Sequence, residues 1–389
     1  MERQMNKYKI LHIASFHGNI GDNANHSGFR NLLKKLIEDE LEFTELEIRE
    51  FYKSWNLRSF NTSQFTDLCN AHDLVIIGGG NFFELQWEYS HTGTTIDISE
   101  ETLLQIKTPI LFNALGCDYA KGTTNNSIKK FENFMKILSE SDQFFVSLRN
   151  DGSQKNIEAL YDDMFPNIHY IPDAGMYLTT DKNFESYKLY KDNLIGINIV
   201  TDMKELRFPN TNWTYDQFIK EFAKIMNNFL IENPKNNLVL FPHIYSDLEA
   251  INDFLKHIDD KFRRTRISVA PYLSGPGSEE YIFGLYKKCD LILGMRFHSN
   301  VCSIGQAIPS IGLNSYEKVE NLYTTLSLEN RLIKVNDPLE IVELSRFINQ
   351  SIENSEEIAS LYKKRTTRFE SDHRDYYTSL QSWLHQNLK

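Results

Sequence analysis

Residues 289–313 read CDLILGMRFHSNVCSIGQAIPSIGL and predict, in order, a strand, a helix and a second strand. The apolar runs at 290–294 and 309–313 have the length and composition of buried strands, and 299–306 between them has those of a short helix. A strand, a helix and a further strand in this order form a βαβ unit, whose two strands are parallel. This segment therefore predicts a parallel sheet covered by helices.

The same alternation extends through most of the chain. In the first half we predict strands at 8–15, 43–51, 73–78, 109–115 and 144–148, and helices at 26–39 and 127–140. In the second half we predict strands at 194–200, 237–242, 266–270, 290–294 and 309–313, and helices at 214–232, 246–258, 278–288 and 299–306. The polar segment 179–193 interrupts the pattern and is the expected linker.

The chain is too long for one ordinary hydrophobic core, since it has 389 residues. We expect an α/β protein with two doubly wound, Rossmann-like parallel sheets, in an N-terminal domain at 1–180 and a C-terminal domain at 194–335. A helical tail at 336–389 is expected to pack back on the first domain. Ligands of such sheets bind beyond the carboxyl ends of the strands, so functional residues are sought there.

Charge and composition exclude several classes of protein. The chain has 42 basic and 53 acidic residues and a net charge of -11, which would repel nucleic acid. No apolar run is long enough to span a bilayer, and the first residues lack the cleavage region of a signal peptide, so a cytoplasmic location is expected. The four cysteines are scattered without metal-ligand spacing, and we predict no metal site.

Two glycine-containing loops follow strands in the first half. Gly18, Asn19 and Asp22 belong to the sequence GNIGD, before the helix predicted from His26, where an anion or a sugar could bind. The alternative is a tight turn with Asp22 or Asn25 as helix cap. Gly79, Gly80 and Asn81 follow strand 73–78. Their glycines indicate close approach of either a ligand or another backbone segment, and the Asn81 amide is the better candidate for direct contact.

Cationic side chains follow three further strands. Arg149 could bind a carboxylate or phosphate, although it could equally pair with Asp151 or Asp173. Arg296 and His298 follow strand 290–294, and in an extended segment both would point the same way. A guanidinium beside an imidazole suits anion binding combined with proton transfer. Ser299 or Asn300 would cap the next helix, while His243 and Lys318 are weaker candidates at the ends of two other strands.

In these motifs the chain resembles the polysaccharide pyruvyl transferase family over roughly residues 8–325. The resemblance depends on the order of the GNIGD loop, the run Gly78–Gly80, the SLR segment ending at Arg149, the Arg296-x-His298 pair and the strand IPSIG at 308–312. It implies the two-domain GT-B-like fold, with the first domain binding the acceptor and the second the donor. It also implies transfer of the pyruvyl unit of phosphoenolpyruvate to a sugar as a ketal, without a cofactor or a metal.

The resemblance assigns roles to the candidate residues. Arg149, Arg296 and His298 would be catalytic. They would also bind the donor together with Ser299, Asn300, Lys318 and His243. Gly18, Asn19, Asp22, Gly79, Gly80 and Asn81 would face the acceptor, which is a sugar, an oligosaccharide or a lipid-linked saccharide. Peripheral membrane association and the oligomeric state stay open.

Two alternatives remain on the same scaffold. One is a glycosyltransferase with a nucleotide-sugar donor, although the segment before Pro309 has no carboxylate to hold a ribose and no D-x-D motif is present. The other is a sugar-binding protein without catalysis. A nicotinamide dehydrogenase is disfavoured because the G-x-G-x-x-G motif is missing.

Overall fold

The computed structural model describes residues 6–119, 122–162, 164–165, 167–180, 193–210 and 212–388. Its contacts divide the chain into two compact units. The first unit comprises the described residues of Met1–Phe16, Phe29–Ala174 and Phe369–Lys389, and the second comprises those of His17–Gly28 and Gly175–Arg368. The predicted linker 179–193 falls mostly on residues 181–192, which lie outside the described part of the chain.

Each unit is built on a parallel sheet of six strands. The strands of the first unit are β1 (Lys7–Ala14), β2 (Glu40–Glu47), β3 (Leu74–Gly78), β4 (Phe83–Glu84), β5 (Ile110–Leu115), β6 (Cys117–Asp118), β7 (Phe144–Arg149) and β8 (His169–Ile171). Those of the second unit are β9 (Leu194–Asn198), β10 (Asn237–Leu240), β11 (Ile267–Val269), β12 (Leu291–Gly294), β13 (Ser310–Asn314) and β14 (Leu332–Lys334).

The strand orders are those of doubly wound sheets. Sheet 1 has the order β2-β1-β3-β5-β7-β8, and sheet 2 has the order β11-β10-β9-β12-β13-β14. In both, the order reverses next to the first strand of the sheet, which creates the crevice where such folds bind ligands. The short strands β4 and β6 pair with each other beyond the ends of β3 and β5. The predicted fold class, two Rossmann-like parallel sheets with a helical C-terminal segment, is confirmed.

Seventeen α-helices lie in the described residues. They are α1 (Ile20–Leu36), α2 (Ser63–Asn70), α3 (Glu100–Gln105), α4 (Asn125–Ser139), α5 (Ser153–Tyr161), α6 (Lys204–Arg207), α7 (Tyr215–Glu232), α8 (Asp247–Lys256), α9 (Asp260–Thr265), α10 (Ser278–Tyr286), α11 (Phe297–Gly305), α12 (Glu317–Thr325), α13 (Pro338–Ile341), α14 (Leu344–Glu353), α15 (Ser355–Thr366), α16 (Phe369–Asp372) and α17 (Arg374–Asn387). None of these helices is both long and apolar enough to cross a membrane.

The central strands are buried on both faces, as their apolar composition predicts. All five residues of β3 and all four of β12 are buried. In the first unit, α17 covers the edge of sheet 1, where Trp383 Nε1 donates a hydrogen bond of 2.8 Å to the Asp142 carbonyl. The Trp383 ring also lies 5.7 Å from the ring of Phe145 on β7. The C-terminal helix is therefore part of the core of the first unit.

The structure differs from the sequence predictions mainly at the edges of the sheets. The edge strands β8 and β14 were not predicted because they are three residues long and carry polar side chains. Strand 43–51 begins three residues earlier than predicted and ends at Glu47, where a 3-10 helix (Ile48–Phe51) begins. Helix α1 begins at Ile20 rather than His26, so it contains most of the GNIGD motif.

The two units also divide the chain differently from the predicted continuous domains. Segment His17–Gly28 belongs to the second unit although it follows β1 of sheet 1. Of the predicted tail at 336–389, helices α13 to α15 belong to the second unit and only α16 and α17 belong to the first.

Gly78 provides a test of the packing in sheet 1. Its φ is +154°, and a Cβ there would overlap the backbone oxygen of Asn113. We expect Gly78→Ala to lower the free energy of unfolding by about 3 kcal/mol, measured by urea denaturation. Gly122→Ala is the control, because Gly122 also has a positive φ, +107°, but nothing lies within 4 Å of its added Cβ. Equal losses in both variants would contradict the proposed overlap.

Candidate functional site

Polar side chains follow three neighbouring strands at the carboxyl edge of sheet 2. Asp202 lies after β9, Asp247 begins the helix after β10, and Arg296 follows β12. Strands β9, β10 and β12 are adjacent in the sheet, with β9 in the middle. Their carboxyl ends therefore bring these charged groups together on one side of the second unit.

Arg296 is held by two carboxylates. Its Nε donates hydrogen bonds of 2.8 and 3.1 Å to the two oxygens of Asp247, and its Nη2 donates to Asp247 Oδ1 as well. Nη2 also donates a 3.1 Å bond to Asp202 Oδ1. Asp247 is fully buried, so its charge is compensated mainly by this guanidinium. The Arg296 side chain is thus fixed before any ligand binds.

Arg207 supplies a second guanidinium that the sequence analysis did not identify. Its Nε donates a 3.0 Å bond to the Asp202 carbonyl and its Nη1 a 3.2 Å bond to Ser315 Oγ. Nη2 lies 3.7 Å from Asp202 Oδ2. Burial lowers the pKa of Arg207, while the charge of Asp202 opposes that shift. No glycine or strand end marks the KELR segment of α6, so its sequence offered no signal for this role.

The cluster has balanced charges rather than a net positive charge. Arg207 and Arg296 face Asp202 and Asp247, so the two positive charges of this cluster are matched by two negative charges. Burial raises the pKa of Asp202, but the charges of Arg296 and Arg207 outweigh it and lower that pKa overall, so Asp202 is ionised at neutral pH. Within the described residues, Nη1 of Arg296 makes no hydrogen bond to another residue. An anionic ligand could accept from this edge of the guanidinium.

His298 lies on the first turn of α11, two residues after Arg296. Arg296 is the N-cap and has an extended backbone, and no side chain caps the helix. The expectation that Ser299 or Asn300 caps the helix is therefore wrong, and so is the placement of His298 in an extended segment. The closeness of His298 to Arg296 instead comes from the turn into α11, whose N-terminal end favours anions.

The GNIGD loop lies against His298. A Cβ on Gly21 would come within 2.5 Å of His298 Nδ1, so only glycine fits there without moving the imidazole. The Ile20 N–H donates to the His243 carbonyl at 3.4 Å, and Asn23 Nδ2 donates to the Gly275 carbonyl at 3.1 Å. Gly18, Asn19 and Asp22 thus belong to the same unit as Arg296 and His298, and not to the unit of Gly79, Gly80 and Asn81.

The cap of α1 is Asn19. Its Oδ1 accepts a 2.9 Å hydrogen bond from the Gly21 N–H, in place of the predicted capping by Asp22 or Asn25. Gly18 has a φ of +77°, which favours glycine at the turn before the helix. The motif therefore folds as a helix N-terminus built around His298.

Three other predicted donor residues have internal partners. His243 Nε2 lies 2.8 Å from Tyr286 Oη, which lies 3.0 Å from Ser299 Oγ. Asn300 Nδ2 donates to the carbonyls of Gly294 and Arg296, and its Oδ1 accepts from a tyrosine of α12. All three are buried and anchor the start of α11. Lys318 lies half-buried on the first turn of α12.

Arg149 lies in the first unit and is 5% exposed. Its Nε donates a 2.8 Å bond to Asp151 Oδ2, and its Nη1 donates a 3.3 Å bond to Asp173 Oδ2. Both carboxylates are buried. This geometry agrees with the alternative in which Arg149 is a structural, paired arginine.

The glycine run of the first unit is explained by close backbone packing. The Gly79 N–H donates to the Asn113 carbonyl and the Gly116 N–H donates to the Gly80 carbonyl, both at 2.9 Å. Asn81 Nδ2 donates a 2.7 Å bond to Glu84 Oε1.

In the described part of the chain, no three His, Cys, Asp or Glu side chains are grouped so that they could hold a metal ion.

Because Asp247 is buried and paired with Arg296, we expect its neutralisation to lower the free energy of unfolding strongly. Asp247→Asn leaves the guanidinium with only the partly exposed Asp202, and we expect a loss of about 3 kcal/mol in the free energy of unfolding. Asp260→Asn is the matched control, because Asp260 pairs with Arg263 and Arg264 on the exposed surface of α9, and little change is expected there. Urea denaturation of both variants measures the difference, and equal effects would contradict this role of Asp247.

His243 predicts a dependence of stability on pH. Burial lowers its pKa well below the ordinary value, and the charges of Arg296 and His298 act in the same direction. Below about pH 6.5 the unfolded chain binds a proton on this histidine while the folded chain does not, so stability falls as the pH falls. We expect the slope in His243→Gln to be smaller by up to about 1.4 kcal/mol per pH unit, measured by urea denaturation from pH 7 to 5. Identical slopes would show that folded His243 is protonated like the unfolded form.

Solved structures similar to this chain share its fold. A putative UDP-N-acetylglucosamine 2-epimerase from Listeria monocytogenes matches with a TM-score of 0.54 and 13% identity, covering 92% of this chain and 91% of that one. Another UDP-N-acetylglucosamine 2-epimerase matches with a TM-score of 0.50 and 11% identity, again over 92% and 91% of the two chains. At these identities the likeness concerns the fold alone. A comparison with curated protein sequences finds no relative.

The family comparison agrees with the resemblance found in the sequence. The family model described as polysaccharide pyruvyl transferase matches residues 19–316, from the GNIGD loop through Arg296 and His298 to the start of α12. This match spans more than half of the chain and includes most strands of both sheets. The chain therefore belongs to the polysaccharide pyruvyl transferase family.

Proposed function

We propose that this protein transfers the pyruvyl unit of phosphoenolpyruvate to hydroxyl groups of a sugar in a cell-surface polysaccharide or its precursor, forming a ketal in the cytoplasm. The observation that carries the proposal is the fixed Arg296, whose Nη1 makes no hydrogen bond to the described residues, two residues before His298 at the start of α11. Membership of the family supports the class of reaction.

The donor matches the cluster chemically. Phosphoenolpyruvate carries a phosphate and a carboxylate, and planar guanidinium groups bind both through paired hydrogen bonds. Arg296 and Arg207 flank Asp202, and each keeps a guanidinium nitrogen that makes no hydrogen bond within the described residues. The N-terminal end of α11 adds a favourable dipole for the phosphate. We therefore assign donor binding to Arg207 and Arg296. Lys318 is assigned a weaker contact at the margin of the donor site.

His298 is proposed as the acid and base. As the imidazolium, it would give its proton to the methylene carbon of the enol, which makes the neighbouring carbon electrophilic. A sugar hydroxyl would then bond to that carbon and return its own proton to His298. The second hydroxyl would displace phosphate, which leaves with the proton of that hydroxyl, and the ketal closes. Arg296 would stabilise the charge that develops on the leaving phosphate.

Gly18, Asn19 and Asp22 are assigned to the donor side in this proposal, because their loop packs on His298 in the second unit. Gly79, Gly80 and Asn81 keep their proposed acceptor role at the strand ends of the first unit. Arg149 is given no donor role, since it belongs to the first unit and both of its carboxylate partners are buried, whereas Asp202 beside Arg296 is partly exposed.

Substitutions at Arg296 and His298 separate binding from turnover. Arg296→Lys keeps the charge but loses the planar fork, and we expect the dissociation constant for phosphoenolpyruvate to rise about 30-fold. His298→Gln is expected to bind the donor normally and to release no phosphate in the presence of acceptor sugars. Calorimetry measures binding, and a phosphate assay with mass spectrometry of the sugar measures turnover.

The matched control is Arg346→Lys, an exposed arginine that pairs with Glu343 on α14 and should behave like the unchanged protein. Full activity of both Arg296→Lys and His298→Gln would eliminate this site. Binding of UDP-N-acetylglucosamine without any binding of phosphoenolpyruvate would instead favour a nucleotide-sugar transferase.

A further inference from the structure

Asp202 contacts both of the arginines that the proposed function assigns to donor binding. We propose that its carboxylate is an internal counter-anion, which an incoming anion must displace before it binds Arg296 through two hydrogen bonds. Asp202 thereby lowers the affinity of the site for the donor and for the phosphate that the donor releases. The identity of the donor rests on the proposed function, whereas the competition itself can be tested with inorganic phosphate.

The hydrogen bonds of Arg296 show which part of its guanidinium Asp202 occupies. A guanidinium can bind an anion through two hydrogen bonds along its Nε–Nη2 edge or along its Nη1–Nη2 edge. Asp247 occupies the first edge, since Nε and Nη2 both donate to it. On the second edge, Nη2 donates a 3.1 Å bond to Asp202 Oδ1, while Nη1 makes no hydrogen bond within the described residues. A ligand that uses both nitrogens of the second edge therefore replaces Asp202 at Nη2.

The contact of Asp202 with Arg207 is looser. Arg207 Nη2 lies 3.7 Å from Asp202 Oδ2, which is too far for a hydrogen bond. The other nitrogens of this guanidinium have partners of their own, since Nε donates to the Asp202 carbonyl and Nη1 donates to Ser315 Oγ. The attraction between Arg207 and the Asp202 carboxylate is thus one of charge alone, and another anionic group can replace it.

The two carboxylates of the cluster are held with different strength. The Asp247 side chain is fully buried and also accepts a 2.9 Å hydrogen bond from the His243 N–H. The Asp202 side chain is 29% exposed, and in the described ranges its carboxylate pairs with no residue other than the two arginines. Water can solvate the Asp202 carboxylate after it leaves Arg296, whereas release of Asp247 would leave a buried charge unpaired. Asp202 is therefore the exchangeable partner of Arg296.

The backbone at Asp202 is fixed without help from the carboxylate. The Asp202 carbonyl accepts a 3.0 Å bond from Arg207 Nε, and Thr201 Oγ1 donates a 3.3 Å bond to the Ser246 carbonyl. These two bonds hold the turn that follows β9. Rotation of the Asp202 side chain is therefore sufficient for exchange with an anion, while the backbone of the site stays in place.

The charge of Asp202 opposes any anion that binds beside it. Burial raises the pKa of Asp202, but the charges of Arg296 and Arg207 lower that pKa overall, so the carboxylate is ionised at neutral pH. After displacement it is still a nearby negative charge, which repels the bound ligand. In the proposed reaction, the released phosphate consequently leaves more easily, because Asp202 then regains its two partners.

The test is Asp202→Asn, which keeps the size of the side chain and removes its charge. We expect the dissociation constants of this variant for inorganic phosphate and for phosphoenolpyruvate to be about tenfold lower than those of the unchanged protein, measured by calorimetry at low salt. Thermal unfolding checks that the variant is folded. Asp202→Ser, which is also neutral, provides the same comparison if Asp202→Asn does not fold.

Asp253→Asn is the matched control, because Asp253 on α8 is also 29% exposed and pairs with Lys256. This variant has the same net charge as Asp202→Asn and should bind both anions like the unchanged protein. Equal tightening in the two variants would overturn the proposal, since net charge alone would then explain it. Unchanged or weaker binding of phosphate by Asp202→Asn would also overturn it, because the carboxylate would then serve to orient the arginines.

The two anions separate this inference from the proposed function. If only the proposed function fails, Asp202→Asn binds inorganic phosphate more tightly, but neither it nor the unchanged protein binds phosphoenolpyruvate. If only the inference fails, both proteins bind phosphoenolpyruvate, and Asp202→Asn binds it no more tightly than the unchanged protein does. Binding of neither anion by either protein would overturn both.

Discussion

The ion pair between Arg296 and the fully buried Asp247 is the interaction on which the candidate site depends. A buried carboxylate is tolerable only with a fixed partner, and the partner here stands at the start of α11. The same pair connects β10 with β12 across β9, and Asp202 and Arg207 extend it toward α6. The geometry of the proposed anion site is therefore a consequence of compensating one buried charge.

A second feature that shapes the candidate site is the part of the chain that packs against His298. The loop between β1 and α1 follows a strand of one sheet yet belongs to the unit built on the other. Gly21 has no side chain, and this allows helix α1 to approach the imidazole closely. The histidine is thereby enclosed by two helix N-terminal regions, those of α1 and α11, although they are far apart in sequence.

The sequence allowed prediction of what local periodicity determines. Strands such as β3 and β12 are continuous apolar runs, and the turn after β12 marked Arg296 and His298 as candidates. Properties set by distant partners were not predictable. The assignment of Gly18 to Asp22 to the second unit depends on contacts with residues more than two hundred positions away, such as that between Asn23 and Gly275. Arg207 is distinguished only by its neighbours Asp202 and Ser315.

The placement of α17 has a consequence for synthesis of the chain. The first unit is completed by Phe369–Lys389, which leave the ribosome after every residue of the second unit. Until then the Phe145 side of sheet 1 lacks Trp383 and exposes apolar surface. All residues of the second unit are synthesised before the first unit is complete. The nascent protein therefore passes through a stage in which sheet 1 exposes apolar surface and can aggregate or bind chaperones.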